Sequence, residues 1–235
     1  MIAPIGPTLV LGGVAAVDAT PVAQTLLSQP LVTATLIGWW WGDLHTALMV
    51  GMVLQVLATS TLPVGARTPE DYATGGVVGA GLAVLLASEQ PFLVTRDACA
   101  VIGVLSGLIV AVLGVPIIKW QRRHNEGLAH WCEDAVRAGR AGALAQAHGA
   151  AVVLAFAIGA SFCAVAIGLG AFATRGLVAH ESIRLARAWA LAEPVWLGLG
   201  IAQVLHAFLQ RRLVRGALFG AALLATWLYL MVGTG

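Results

Sequence analysis

Charged side chains are scarce in this sequence, and basic ones are absent from its beginning. Only 10% of the 235 residues are Asp, Glu, Lys or Arg, whereas 59% are hydrophobic. The first 66 residues carry two charges, Asp18 and Asp43, and both are acidic. A water-soluble surface needs many more charges, so this composition excludes a soluble globular domain and predicts a protein that crosses a lipid membrane several times. The net charge of +2 gives no reason to expect a nucleic-acid partner, because the basic residues flank apolar runs.

Residue spacings typical of metal sites and of covalent catalysts are also missing. The three cysteines, Cys99, Cys132 and Cys163, form no CxxC pair, and none of the six histidines belongs to an HExxH motif. GxSxG and Walker motifs are absent as well. We therefore expect free structural thiols and no metal, cofactor or catalytic residue on this chain.

The N-terminal apolar segments are interrupted by proline and glycine, which predicts broken helices. The opening segment lacks the basic residues of a secretory signal and is expected to remain as a first membrane helix up to about Val17. Pro21, Pro30 and two glycines divide residues 19–42 into pieces shorter than the roughly 20 residues of a spanning helix. We expect a short helix and then a half-helix that faces a binding cavity, or alternatively one Pro-kinked span.

Three polar residues stand out beside these apolar segments: Asp43, Gln55 and Asp71. Polar groups at membrane depth are costly and therefore usually mark function. The predicted helix 44–59 places Gln55 on the same side as Gly51, so its amide should face protein or a cavity, as an interhelical hydrogen bond or as a ligand contact. Asp43 can equally cap that helix, because it stands directly before it. Asp71 ends a loop, residues 62–71, that is too rich in proline and glycine to be helical.

The second half has longer uninterrupted runs and one polar segment. Residues 98–118, 149–174, 194–210 and 216–233 are apolar runs expected to span the membrane. Residues 119–148 have a charged, helix-forming composition, which predicts an amphipathic helix or helical hairpin outside the membrane core. This segment and the basic turn 211–215 are separated by two spans and share a side, which the positive-inside rule makes the cytoplasmic one.

The order of these features resembles a known family. The run QPLVTATLIG is followed by Gly42-Asp43, by GMVLQVL around Gln55 and by LPVGARTPED at 62–71. This pattern is similar to the signature of the mannose/fructose/sorbose-type enzyme IIC of the phosphoenolpyruvate-dependent sugar phosphotransferase system. Gln55 and Pro63 look more like the amino-sugar and sorbose members than the mannose members, which tend to carry Glu and Asn at these places.

The resemblance implies an all-α, polytopic membrane protein with broken and re-entrant helices, forming a single IIC domain over residues 1–235 with its signature in 30–71. It implies a sugar-translocating subunit in the inner cell membrane, working in a hetero-oligomer with a IID membrane subunit and with cytoplasmic IIB and IIA phosphocarriers. The phosphoryl-carrying residue is then expected on IIB, and whether this chain counts as an enzyme stays open. The residues that match the family's sugar-binding positions are Gln55, Asp71, Asp43, Gly65 and Ala66.

Two other interpretations remain at this stage. One is a regulatory or structural membrane component of a degenerate phosphotransferase system that does not transport sugar. The other is an unrelated secondary transporter with a broken-helix site, which would take up its substrate without phosphorylating it.

Overall fold

A computed structural model describes residues 5–19, 22, 25–59, 68, 70–89, 92–208, 213–214, 216–221 and 224. Six helices are present in these ranges: α1 Ile5–Ala19, α2 Pro30–Trp41, α3 Leu44–Ala58, α4 Tyr72–Glu89, α5 Arg96–Arg137 and α6 Ala143–Phe208. No strand occurs within them. The helices α4, α5 and α6 are long and apolar enough to cross a membrane. The predicted all-α membrane fold is therefore confirmed.

The chain forms two compact units, Met1–Ala192 and Glu193–Gly235. The first contains α1 to α5 and the longer part of α6, which kinks at Glu181. The second begins with the end of α6 and continues with helical residues at 213–214, 216–221 and 224. The predicted span 216–233 lies mostly outside the described residues. A single IIC domain over residues 1–235 stays a prediction.

The helices α2 and α3 form a hairpin whose arms are too short to cross a membrane. They contain 12 and 15 residues, or about 18 and 22 Å at 1.5 Å per residue, against a membrane core of about 30 Å. Gly42 separates them at φ 75°, a left-handed conformation that glycine adopts without steric cost. The predicted half-helix is confirmed.

The short helix predicted before this hairpin is wrong for residues 25–29, which form turns. The buried carboxylate of Asp18 accepts hydrogen bonds from the backbone N–H groups of Thr25 and Ser28 at 2.6 and 2.8 Å. Leu26 between them adopts φ 73°. Because the carboxylate takes these N–H groups, they cannot enter a helical hydrogen-bond ladder.

Glycines let α4 and α5 pack backbone against backbone at the centre of the first unit. A Cβ atom added at Gly103 would lie 2.6 Å from the carbonyl oxygen of Gly79, and one added at Gly107 would lie 2.8 Å from that of Gly75. The apolar residues of α4 from Val77 to Leu86 are all buried. These small residues therefore allow the two helices to approach closely.

The polar segment predicted at 119–148 is a helical hairpin made from the end of α5 and the start of α6. The helix α5 continues through the charged residues to Arg137, and residues 138–142 then turn, with Gly139 and Gly142 at φ 74° and 82°. Most side chains of this segment are exposed. The charged residues of this hairpin therefore extend α5 and α6 beyond the packed helices and do not form a separate domain.

We predict that the 138–142 turn is cytoplasmic and that the turn between α4 and α5 lies on the opposite side. In cells whose Cys132 is replaced by Ser, a cysteine at Phe92, which is 99% exposed, should react with a membrane-impermeant maleimide. A cysteine at exposed Arg140 should react only after permeabilisation. The opposite pattern in intact cells would reverse the orientation. Arg212, in the other predicted cytoplasmic turn, lies outside the described residues.

Candidate functional site

The amide of Gln55 reaches from α3 to the N-terminus of α2. Its Oε1 accepts a hydrogen bond from the backbone N–H of Leu31 at 3.2 Å, and its Nε2 donates to Oε1 of Gln29 at 2.8 Å. The first N–H groups of a helix have no partner within the helix, so Gln55 supplies one from a neighbouring element. Of the two roles expected for this amide, the structure contains the hydrogen bonds to a neighbouring helix.

Gln29 is a polar residue of this site that the sequence interpretation missed. It is the N-cap residue of α2 but makes no capping bond with its own side chain. Its side chain pairs with Gln55 instead. A signal was available, since an amide directly before Pro30 opens an otherwise apolar run. We call Gln29 and Gln55 the amide pair.

Asp18 holds the segment that leads to the amide pair. Its carboxylate is 4% exposed and accepts from Thr25 Oγ1 at 2.7 Å in addition to the two backbone N–H groups. These bonds fix the turn directly before Gln29. The three polar residues Asp18, Gln29 and Gln55 therefore surround the N-terminal end of a half-helix, where the helix dipole places positive charge.

Asp71 caps α4 and docks on α5. Its Oδ1 accepts from the backbone N–H of Thr74 at 3.1 Å, its Oδ2 accepts from Thr74 Oγ1 at 2.6 Å, and its own N–H donates to the carbonyl of Ala111 at 2.8 Å. Asp71 lies at the same end of the bundle as the amide pair, because Gly76, one turn further along α4, packs against Pro30. No hydrogen bond between described residues joins Asp71 to the amide pair. Gly65 and Ala66 lie outside the described residues.

Asp43 stands at the other end of the hairpin. It caps α3, accepting from the backbone N–H of Thr46 at 3.3 Å and from Thr46 Oγ1 at 2.7 Å, and it pairs with Arg96 Nε at 3.4 Å. Twelve residues of one helix separate it from Gln55, a distance of about 18 Å. The resemblance groups Asp43 with Gln55 and Asp71 in one sugar site, but Asp43 is not close to Gln55, because a straight helix keeps its two ends apart.

The end of the bundle that carries the amide pair suits a neutral ligand with hydroxyl groups. Side-chain amides both donate and accept hydrogen bonds, and carboxylates accept them, so together they match hydroxyls in either role. In the part of the chain that the structure describes, no group of three or more His, Cys, Asp or Glu could hold a metal ion. Among the described residues at this end, no nucleophile is paired with a base, so the groups present offer hydrogen bonds and charge.

Comparison with known proteins identifies the family. The sequence matches the family described as the PTS system sorbose-specific IIC component over residues 8–234. The chain belongs to this family. The IIC chain is accordingly a sugar-specific membrane component of a phosphotransferase system, and the resemblance noted in its sequence is confirmed.

The fold of the IIC chain is also found in a solved structure described as "Structure of membrane protein". The TM-score is 0.68, the sequence identity is 17%, and the match covers 97% of the IIC chain and 96% of the other. At this identity the likeness concerns the fold alone. Among curated proteins no significant match to the sequence was found.

Proposed function

We propose that this IIC chain is the sugar-translocating membrane subunit of a mannose-family permease, which binds a sugar and presents it for phosphorylation by IIB. The observation that supports this most is the amide pair at the N-terminus of the half-helix α2, inside a chain with few polar groups. A site built from hydrogen-bonding groups selects hydroxylated ligands, because analogues without hydroxyls leave its own groups unpaired.

The sugar site in this proposal contains Gln55 and Gln29, with Asp71 at the same end of the bundle and Gly65 and Ala66 contributed by the preceding loop. Gln55 and Asp71 are already engaged in the structure, with Leu31 and Thr74. A sugar therefore has to exchange hydrogen bonds with them or use their remaining lone pairs and N–H groups. Carboxylate and amide oxygens can each accept more than one hydrogen bond, so both roles are compatible.

The proposed assembly places the IIC chain in the inner cell membrane beside a IID subunit, with IIA and IIB on the cytoplasmic side. Membership of the family supports phosphotransferase partners. The phosphoryl group travels from a residue of IIB to the sugar, so this chain contributes binding and orientation. In the proposal residues 1–235 act as one IIC domain.

The function is tested in membrane vesicles supplied with phosphoenolpyruvate. Complete vesicles contain IIC, IID, IIB and IIA, and matched preparations each lack one of the two membrane subunits. A panel of radiolabelled mannose, fructose, sorbose and amino sugars should give a phosphorylated product inside the vesicles with at least one member. Omission of either IIC or IID should abolish the product. A product that persists without IIC assigns this chain to the regulatory or structural alternative, and uptake of unmodified sugar would indicate a secondary transporter.

Substitution of Asp71 separates its capping role from its proposed sugar-binding role. Asp71→Asn keeps a good N-cap residue, so the yield of folded protein should equal that of the parent. The affinity for sugar should fall about five- to tenfold, because one charged acceptor is lost. Asp71→Ala should lower both yield and affinity. Sugar binding by Asp71→Asn equal to that of the parent would restrict Asp71 to the cap of α4.

A further inference from the structure

A polar cavity lies at the opposite end of the α2–α3 hairpin from the amide pair. It has a volume of about 470 Å³ and is lined by Trp41, Asp43, Ser88, Arg96 and the apolar residues Val84, Ala87 and Val94. Small-molecule sites in proteins typically have volumes of about 300–1,000 Å³. We call this cavity the tip cleft, since it lies where the chain turns from α2 into α3.

The charged groups of the tip cleft cancel each other but retain hydrogen-bonding capacity. The Nε of Arg96 pairs with the carboxylate of Asp43, and the side chain of Arg96 is 62% exposed. The two terminal nitrogens of Arg96 have no hydrogen-bond partner among the described residues. The hydroxyl of Ser88 donates to the carbonyl of Leu85 at 2.8 Å, which leaves its oxygen free to accept. A paired carboxylate and guanidinium beside a hydroxyl favour a neutral ligand that both donates and accepts.

One wall of the tip cleft is a tryptophan whose orientation is fixed. The indole N–H of Trp41 donates to Thr8 Oγ1 at 3.0 Å, whereas the neighbouring Trp39 and Trp40 are 75% and 53% exposed. An aromatic wall together with Val84 and Val94 offers apolar surface to the C–H groups of a ring. Hydrogen-bonding groups on one side and apolar surface on the other suit a pyranose or furanose.

We propose that the tip cleft is a second sugar site, which captures a neutral monosaccharide from outside before the sugar moves to the amide pair. The inference rests on the proposed transport function. It also uses the orientation proposed above: α5 begins at Arg96 beside the cleft and carries its charged cytoplasmic segment at its other end. The cleft is about 18 Å from Gln55, the length of the helix between them, so one sugar cannot contact both places at once.

The first test measures uptake kinetics for the sugar of the panel that the parent complex transports. Arg96→Gln removes the guanidinium fork but keeps a neutral, shorter side chain that can still donate a hydrogen bond, and Ala87→Trp fills the cleft from α4. Both variants should raise KM for uptake about tenfold, because the loss of hydrogen bonds to a bound ligand weakens its binding by about this factor. The maximal rate should stay within about twofold of the parent. Arg184→Gln is the matched control, because Arg184 is also largely exposed but pairs with Glu181 on α6. Unchanged KM in both cleft variants would overturn the proposal.

The second test separates the two sites. A cysteine at exposed Ser88 should react with an impermeant maleimide in intact cells, and external sugar should slow this reaction at least threefold. The protection should persist when Gln55→Leu is added, because the cleft binds independently of the amide pair. Absence of protection by every sugar of the panel would overturn the cleft site. Failure of the parent to phosphorylate any sugar would overturn the transport function, while the protection assay would still report on the cleft.

Discussion

Gly103→Ala should destabilise the folded IIC chain, although alanine normally stabilises a helix. The Cβ atom would lie 2.6 Å from the carbonyl oxygen of Gly79 and 2.8 Å from side-chain atoms of Ala83 and Val50. The carbonyl belongs to the backbone of a buried helix and cannot turn away. Overpacking of this kind costs about 1–3 kcal/mol or more, which exceeds the gain of about 1 kcal/mol from replacing glycine within a helix.

The measurement is the yield of monodisperse protein in detergent together with its melting temperature. For a destabilisation of about 2 kcal/mol, a chain of this size should lose roughly 4–8 °C. Gly168→Ala is the matched control, because Gly168 is also inside a helix but has no atom within 4 Å of an added Cβ. Its melting temperature should be equal to that of the parent or slightly higher. If Gly103→Ala behaves like this control, the close approach of α4 and α5 is wrong.

Gln55→Leu should abolish most sugar binding while leaving the helices in place. Leucine has a similar volume but leaves the N–H of Leu31 and the amide of Gln29 without the partners they have in the structure. In the proposed site, a sugar hydroxyl that pairs with Gln55 would also lose its partner. A polar group left unpaired in the complex costs about 1–3 kcal/mol of binding free energy, and 1.4 kcal/mol corresponds to a factor of ten. We therefore expect the affinity for sugar to fall tenfold or more, and phosphorylation of sugar in vesicles to fall with it.

Two further variants show whether the chemistry of the amide is responsible. Gln55→Glu preserves an acceptor for Leu31 and places negative charge at a helix N-terminus, which is favourable, but it loses the donor to Gln29. Its affinity should lie between those of the parent and of Gln55→Leu. Gln146→Leu replaces an exposed glutamine in the first turn of α6 and should have no effect. Parent-like binding by Gln55→Leu would place the sugar site elsewhere.

The sequence was sufficient for features that depend on neighbours along the chain. The scarcity of charge predicted a membrane protein, and the positions of Pro30 and Gly42 predicted a half-helix, because proline and glycine act on the backbone where they stand. The capping role of Asp43 was also open from the sequence, since an N-cap contacts residues only two or three positions ahead. The short helix expected before Pro30 is wrong for residues 25–29, because the carboxylate that organises this turn belongs to Asp18, seven residues before Thr25 and ten before Ser28.

What only the tertiary structure decided is which polar groups meet. Gln55 was singled out by its type and place, but its partners Gln29 and Leu31 lie on another helix, 26 and 24 positions away. Asp43, which the sequence placed with Gln55, is at the far end of the same helix and meets Arg96 instead. Such pairings depend on the register in which helices pack, and that register is set by buried contacts such as Gly79 against Gly103. These contacts join distant parts of the chain, so no local pattern contains them.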